Sequence, residues 1–208
     1  SSDNWAGAHP KISERLMAAS TGFASAYGTS DLDRKVAERF NAIFERDVEV
    51  FFVGTGTAAN SLALASVTKP GGVTFCHHEA HIHTDECGAP GFFAHGARLM
   101  PVSGDNAKVD CAALEAEIAR FPEGGVHFGQ AASVSITQAT EFGTVYTLDE
   151  IAAVGEIAAR EKIIAIEPFR DKDGIGRCRI VMQPKVIAVS PRPMRPFQGW
   201  RYLTPDAA

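Results

Sequence analysis

The sequence predicts an α/β fold, with a mainly parallel sheet covered by helices on both faces. Three observations carry this expectation. Short apolar runs of strand length recur along the chain, amphipathic segments of helical period separate them, and capping residues stand at the junctions. Strands separated by helices of ten or more residues form βαβ units, whose crossovers make the sheet parallel and bury both its faces.

The elements follow in order. "HPKISERLMAA" reads as a short helix, with Pro10 in its first turn and Ile12, Leu16 and Ala19 at helical spacing. In "SDLDRKVAERFNAIFE", Ser30 caps with Asp33 three residues on, and Leu32, Val36, Phe40, Ile43 and Phe44 form one apolar stripe. "VEVFFV" ends at Gly54 and reads as a buried strand. "TAANSLALASV" is helical and stops at the Lys69-Pro70-Gly71-Gly72 turn; strand "VTFC" and a helix from about Ala80 come next. "ARLMPV" is a strand, and Asp110 caps a helix carrying Leu114 and Ile118. "ASVSIT" is a further strand, Thr147 and Glu150 form a capping box for "LDEIAAVGEIAARE", and "IIAI" is the fifth strand. In such sheets ligands bind outside the carboxyl ends of the strands. The loops "GTGT", "HHEAH" and "QATEFGT" are therefore the places to look for chemistry.

The 208 residues suit one large domain, or one and a half small ones, with a sizeable core, and the net charge of -5 points away from nucleic acid or an acidic membrane as partner. No run of about eighteen apolar residues is present, and the polar start "SSDNWAGAHPK" has no signal-peptide core, so the expectation is a cytoplasmic protein that does not span a membrane. Character changes near Lys162. Residues 163–208 carry 8 basic against 4 acidic residues and six of the eleven prolines, in an otherwise acidic chain.

"CHHEAHIHTDECGAP", residues 76–90, holds four histidines, three carboxylates and two cysteines. Metal is not expected there. His77 and His81 are four apart, but Glu79 does not directly follow the first, as a zincin requires. Cys76, Cys87, Cys111 and Cys178 form no C-x-x-C pair.

The stretch "VEVFFVGTGTAANSLALA" is a strand, a glycine loop and a helix start, an arrangement that aims free backbone N–H groups and a positive dipole end at an anion. Gly54 and Gly56 are expected to turn the backbone tightly, with Thr55 and Thr57 adding hydroxyls and Asn60 one turn inside. A phosphate group is the natural guest. "GTGTAA" also fits a loose dinucleotide pattern, which leaves an NAD-dependent oxidoreductase as an alternative. Glu79 then falls within the histidine cluster rather than at a strand end, where the ribose-binding acid belongs.

"SDNWAGAHPKI", "FFVGTGTAANSLAL", "AHIHTDECGAP" and "SITQATEFGTVY" together resemble the low-specificity L-threonine aldolases. These are β-eliminating lyases of the fold-type-I pyridoxal-phosphate group. The resemblance runs from Ser2 to about Lys162 and implies the large domain of that fold, apparently truncated. It implies pyridoxal 5'-phosphate held by Gly56 and Thr57, with Thr55 and Asn60 beside them, and His81 lying flat on the pyridine ring. Glu86 matches a family carboxylate near the same site, Ser2 a serine near the substrate carboxylate, and His77, His78 and His83 have no matched role and are expected at the surface or behind the site. The implied reaction is retro-aldol cleavage of a β-hydroxy amino acid such as threonine to glycine and an aldehyde, by a homodimer or higher homo-oligomer.

The likeness lapses after "IIAI". The family's "DGAR" aspartate and arginine have no counterpart in "EPFRDKDGIGRCR": Phe169 takes the aspartate slot unless Asp171 or Asp173 shifts into place. Lys185 is the last lysine and lacks the small, hydroxylated neighbours of the family's imine-forming lysine. The expectation is a cofactor-binding chain with little or no aldolase activity by itself, or a catalytically inactive remnant. Residues 163–208 admit two readings: an altered reading frame or gene end, favoured because "SPRPMRPFQGWRYLTPDAA" has no structural period, or a replacement with its own role.

Overall fold

The computed structural model describes residues 7–44, 47–166, 179–182 and 186–189. Ser2, Phe169, Asp171, Asp173, Lys185 and the segment 190–208 lie outside the described residues. The chain divides into two compact units, residues 1–38 and 39–208. The first holds α1 (Pro10–Ala19) and the start of α2 (Asp31–Phe44). Ser30 and Asp33 form the expected reciprocal cap: Ser30 Oγ accepts from the Asp33 N–H at 3.2 Å, and Asp33 accepts from the Ser30 N–H at 3.0 Å. The Ser30 hydroxyl, donating to the Asp33 carboxylate at 2.5 Å, and then the Ser30 N–H hold that carboxyl below its ordinary range. The Ile12 and Leu16 stripe of α1 has the expected helical spacing but is exposed.

The second unit is built on a seven-stranded sheet: β1 (Glu49–Phe52), β2 (Gly72–His77), β3 (Arg98–Val102), β4 (Gln130–Ser135), β5 (Ile164–Ile166), β6 (Arg179–Met182) and β7 (Val186–Val189). The spatial order is β1-β7-β6-β5-β4-β2-β3. Strands β3, β2, β4 and β5 are mutually parallel, β6 joins β5 in parallel, and β7 pairs antiparallel with both β6 and β1. The expected parallel sheet is present. Two features differ from expectation. The sheet continues past Ile166 through β6 and β7, and β1 is an edge strand whose Phe51 and Phe52 are exposed. A six-residue apolar run looks the same whether the strand ends up central or at an edge.

Alternation along β2 divides the core. Val73 and Phe75 point to one face, with Leu114 and Ile118 of α6 (Cys111–Ile118) and Ile151, Val154 and Ile157 of α7 (Leu148–Arg160). Cys76 belongs to the other face, with Leu64 of α3 (Gly56–Val67), Ile82 of α4 (His81–Thr84), Ala94 beyond α5 (Ala89–Phe93) and Ile166. On strands β2 and β4, Thr74 and Ser133 pair side by side and their buried hydroxyls share a hydrogen bond of 2.8 Å. Each fully buried Leu, Ile or Phe contributes about 1.5–3 kcal/mol, so these two layers fix where the strand ends lie. The helix expected from Ala80 is interrupted. Cys87 and Gly88 take positive φ and split it into α4 and α5.

Candidate functional site

The site forms where the loop after β1 meets the segment after β2. Thr55 is extended and caps α3, its hydroxyl accepting from the Ala58 N–H at 3.0 Å. The Thr55 carbonyl accepts from Ala59 N–H, the first bond of the helix ladder. Helix geometry leaves the Gly56 and Thr57 N–H groups without an intrahelical acceptor, and they point out of the helix start with its positive dipole end. Neither Gly54 nor Gly56 has a positive φ, so the turn does not draw on glycine's access to the left-handed region. A Cβ on Gly54 would meet open space.

Strand β2 runs into His77, and the chain then turns through Ala80 into α4, which begins at His81. His81 Nδ1 lies 3.1 Å from Glu86 Oε1; the imidazole is half exposed, whereas the Glu86 side chain is shut away from solvent. The same Oε1 accepts from Asn60 Nδ2 at 2.6 Å. Asn60 lies one turn into α3, so Glu86 links the start of α3 to the histidine segment. Asn60, expected beside the phosphate pair, directs its amide at Glu86. The second carboxylate oxygen, Oε2, is buried and has no hydrogen-bond partner among the described residues.

The other histidines divide in two. His78 and His83 are exposed; His83 Nδ1 lies 3.0 Å from the His78 carbonyl. His77 is buried at 3% exposure, contrary to a surface reading. Its Nδ1 accepts from the Glu79 N–H at 3.1 Å, which leaves Nε2 to donate to the Gly104 carbonyl at 3.0 Å. His77 pins the loop after β3 and has no nitrogen left for chemistry. The "QATEFGT" loop is likewise structural. Gln138 exchanges two bonds with the Tyr146 backbone, at 2.9 and 2.7 Å, and the Thr144 hydroxyl donates to the Asn106 carbonyl at 2.6 Å. Among the described residues no three His, Cys, Asp or Glu side chains are grouped to hold a metal ion, and no helix is long and apolar enough to cross a membrane.

The family model described as "Beta-eliminating lyase" matches residues 1–166. The chain belongs to the beta-eliminating lyase family. Within this lyase family, two proteins named "Low specificity L-threonine aldolase" are similar to it. One, from Pseudomonas sp., is 40% identical over 74% of this chain and 44% of its own length. The other, from Pseudomonas aeruginosa, is 39% identical over the same shares. The chain thus spans less than half the length of these curated relatives. A threonine aldolase structure from Leishmania major superposes with TM-score 0.76 at 20% identity, covering 89% of this chain and 60% of that one. An archaeal alanine:glyoxylate aminotransferase superposes with TM-score 0.60 at 17% identity, covering 86% and 51%. The lyase domain therefore has the fold-type-I architecture of these enzymes, covering about half of their chains. A second model, "Protein of unknown function (DUF1489)", matches residues 139–208, so 139–166 are matched by both models.

Proposed function

We propose that this chain carries a pyridoxal-phosphate half-site of an aldehyde-lyase for β-hydroxy amino acids such as L-threonine, and that alone it turns over little or no substrate. The Glu86 link from Asn60 on α3 to His81 carries this reading, because it sets the imidazole beside the helix start whose N–H groups suit a phosphoryl group. The family uses pyridoxal phosphate. Gly56 and Thr57 would hold its phosphoryl end, His81 would cover the ring, and Ser2 would approach the substrate carboxylate. The bound cofactor supplies an electron sink for breaking the Cα–Cβ bond. His81, with one nitrogen held by Glu86 and its ring half exposed, is the group placed to take or return the proton of a β-hydroxyl.

The low turnover rests on lysine. Among the described lysines of the second unit, Lys108 is bonded to Glu150 at 2.8 Å, and Lys162 lies 3.9 Å from Glu123. Lys69 follows the far end of α3, roughly 18 Å from its start at 1.5 Å per residue. None is free beside His81 and the Gly56 turn to form an imine.

The test is cofactor titration of the purified chain, followed by borohydride reduction and mass spectrometry. Reversible binding without a reduced lysine adduct is expected. A lysine adduct with brisk threonine cleavage would overturn the low-turnover reading, and absence of binding would overturn the half-site. Nucleotide titration covers the NAD alternative. Gly56→Pro sharpens the assignment. Proline is tolerated at the first helical position, and the extended Thr55 before it is compatible, so the substitution removes one N–H and keeps the helix. Losing one charge-assisted bond of about 1.5–3 kcal/mol weakens cofactor binding by roughly ten- to hundredfold.

The chain also self-associates in this proposal, as a homodimer or higher homo-oligomer. Exposed Phe51, Phe52, Phe92 and Phe93 supply apolar surface for it, and a monodisperse monomer in light scattering would count against it. For the tail, the second family match supports a segment with its own lineage, since a product of an altered frame has no reason to match a family model.

A further inference from the structure

We infer that Asn60 and Glu86 are positioning residues that fix the His81 ring with its proton on Nδ1, leaving Nε2 as the nitrogen that works at the site; this rests on the half-site reading for its use but not for its test. A neutral imidazole donates from one nitrogen and accepts at the other, and the partner of one decides the role of both. Here Nδ1 faces Glu86 Oε1 at 3.1 Å. An ionised carboxylate is acceptor only, so Nδ1 bears the hydrogen and Nε2 keeps the lone pair.

Asn60 supplies what makes this arrangement hold. A carboxylate with no solvent exposure is costly unless hydrogen bonds compensate it. Its Oε2 has no partner among the described residues, so compensation converges on Oε1, which receives both the Asn60 amide at 2.6 Å and His81. The short amide contact fits an ionised acceptor. Asn60 is carried by a twelve-residue helix packed into the core through Ala59, Ala63 and Leu64, whereas His81 opens the four-residue α4 and Glu86 follows its end. The rigid element thus fixes the carboxylate, and the carboxylate fixes the ring. Nε2 has no protein partner among the described residues, and the half-exposed ring leaves it open to a ligand.

The experiment is long-range proton–nitrogen correlation on the cofactor-free full chain labelled with nitrogen-15 histidine. It is run about two pH units above the ordinary imidazole value of about 6.5, so that unpaired rings are neutral. His81 is assigned by its loss in His81→Asn. The wild-type ring is expected to show Nδ1 protonated and Nε2 bare. Glu86→Leu is expected to return it to the Nε2–H form favoured by free imidazole, and Asn60→Ala to mix the two forms. Glu86→Gln, whose amide oxygen still accepts, should keep the wild-type pattern. The signal of His77, held as its Nε2–H form by Gly104, reports whether each variant is folded. A wild-type His81 protonated on Nε2, alone or in an imidazolium, overturns the proposal with no variant needed. So does a folded Glu86→Leu that leaves the pattern unchanged. Because no cofactor is present, failure of cofactor binding would sink the half-site while leaving this result standing, and the converse holds too.

Discussion

Two buried acids set how the fold responds to alkali. Burial pushes the Cys76 thiol up to about 12 from an ordinary 9.0. Burial first, against an opposing hydrogen bond from the Val109 N–H at 2.7 Å, pushes the Tyr146 phenol up to about 12 from 10.0. In the unfolded chain both ionise earlier as pH rises, so the unfolded state then binds fewer protons than the folded one. Their stabilisation is fully present below about pH 9 and is lost progressively as pH climbs from there towards 12. Urea unfolding measured across that window should therefore show stability falling. Cys76→Ala should remove up to one proton's worth of slope, about 1.4 kcal/mol per pH unit. The same burial makes Cys76 slow to alkylate in the native state, whereas exposed Cys87 should label readily. His77 makes the second residue-scale case. Replacing it with Phe leaves the Gly104 carbonyl and the Glu79 N–H without their partner, and about 1–3 kcal/mol of stability should be lost in denaturant titration.

At the scale of elements, local signals were legible and distant ones were not. Thr147 and Glu150 form the box their spacing announces, Thr147 Oγ1 accepting from the Glu150 N–H at 3.2 Å and Glu150 accepting from the Thr147 N–H at 2.6 Å. Thr147→Ala should cost about 1 kcal/mol, read as a lower thermal midpoint. The Asp110 and Ser30 caps were readable for the same reason: cap and first turn are three residues apart. His81 and Glu86 also lie close in sequence, yet only the family likeness placed both at one site. Asn60 and Glu86 are twenty-six residues apart, and no periodicity encodes a bond that the α3 packing creates. For His77 the surface and the place behind the site both stayed open in the sequence, because the acceptor that decides it, Gly104, sits in the next loop. Gly104 is itself required by space. A Cβ there would overlap the Lys108 carbonyl and stand 2.7 Å from the Asp110 nitrogen. Gly104→Ala should force this loop open and cost about 1–3 kcal/mol, with the His77 ring signal shifting in the same sample. β6 and β7 were hidden for another reason. "RIVM" and "VIAV" are strand-like, but the surrounding prolines and arginines dominated the composition of the tail.

For the whole molecule, those two strands matter more than their length suggests. Among the described residues β1 has a single sheet partner, β7, through pairs from Glu49↔Val189 to Phe52↔Val186. β7 in turn pairs with β6, and β6 reaches the parallel strands through Ile166↔Arg179. The glycine turn leaves β1 at Phe52 and enters α3 at Gly56. Its amides are thus anchored on one side by α3 and on the other by a strand that depends on residues beyond the lyase match, which ends at 166. The segment that the second model matches therefore supports the glycine turn of the lyase domain. Ending the chain after Ile166 should leave β1 without backbone partners and expose the β5 edge, which invites pairing with other chains. α3 lies against β6 and β7 as well, but it keeps part of its core without them, because Ala59, Ala63 and Leu64 are buried and Leu64 packs with Cys76 and Ile82. The expected outcome is a truncated chain that retains helical circular dichroism, binds cofactor more weakly than the full chain and elutes as larger species. Unchanged affinity with unchanged size would mean that α3 alone holds the turn, and that the tail strands contribute nothing to the site.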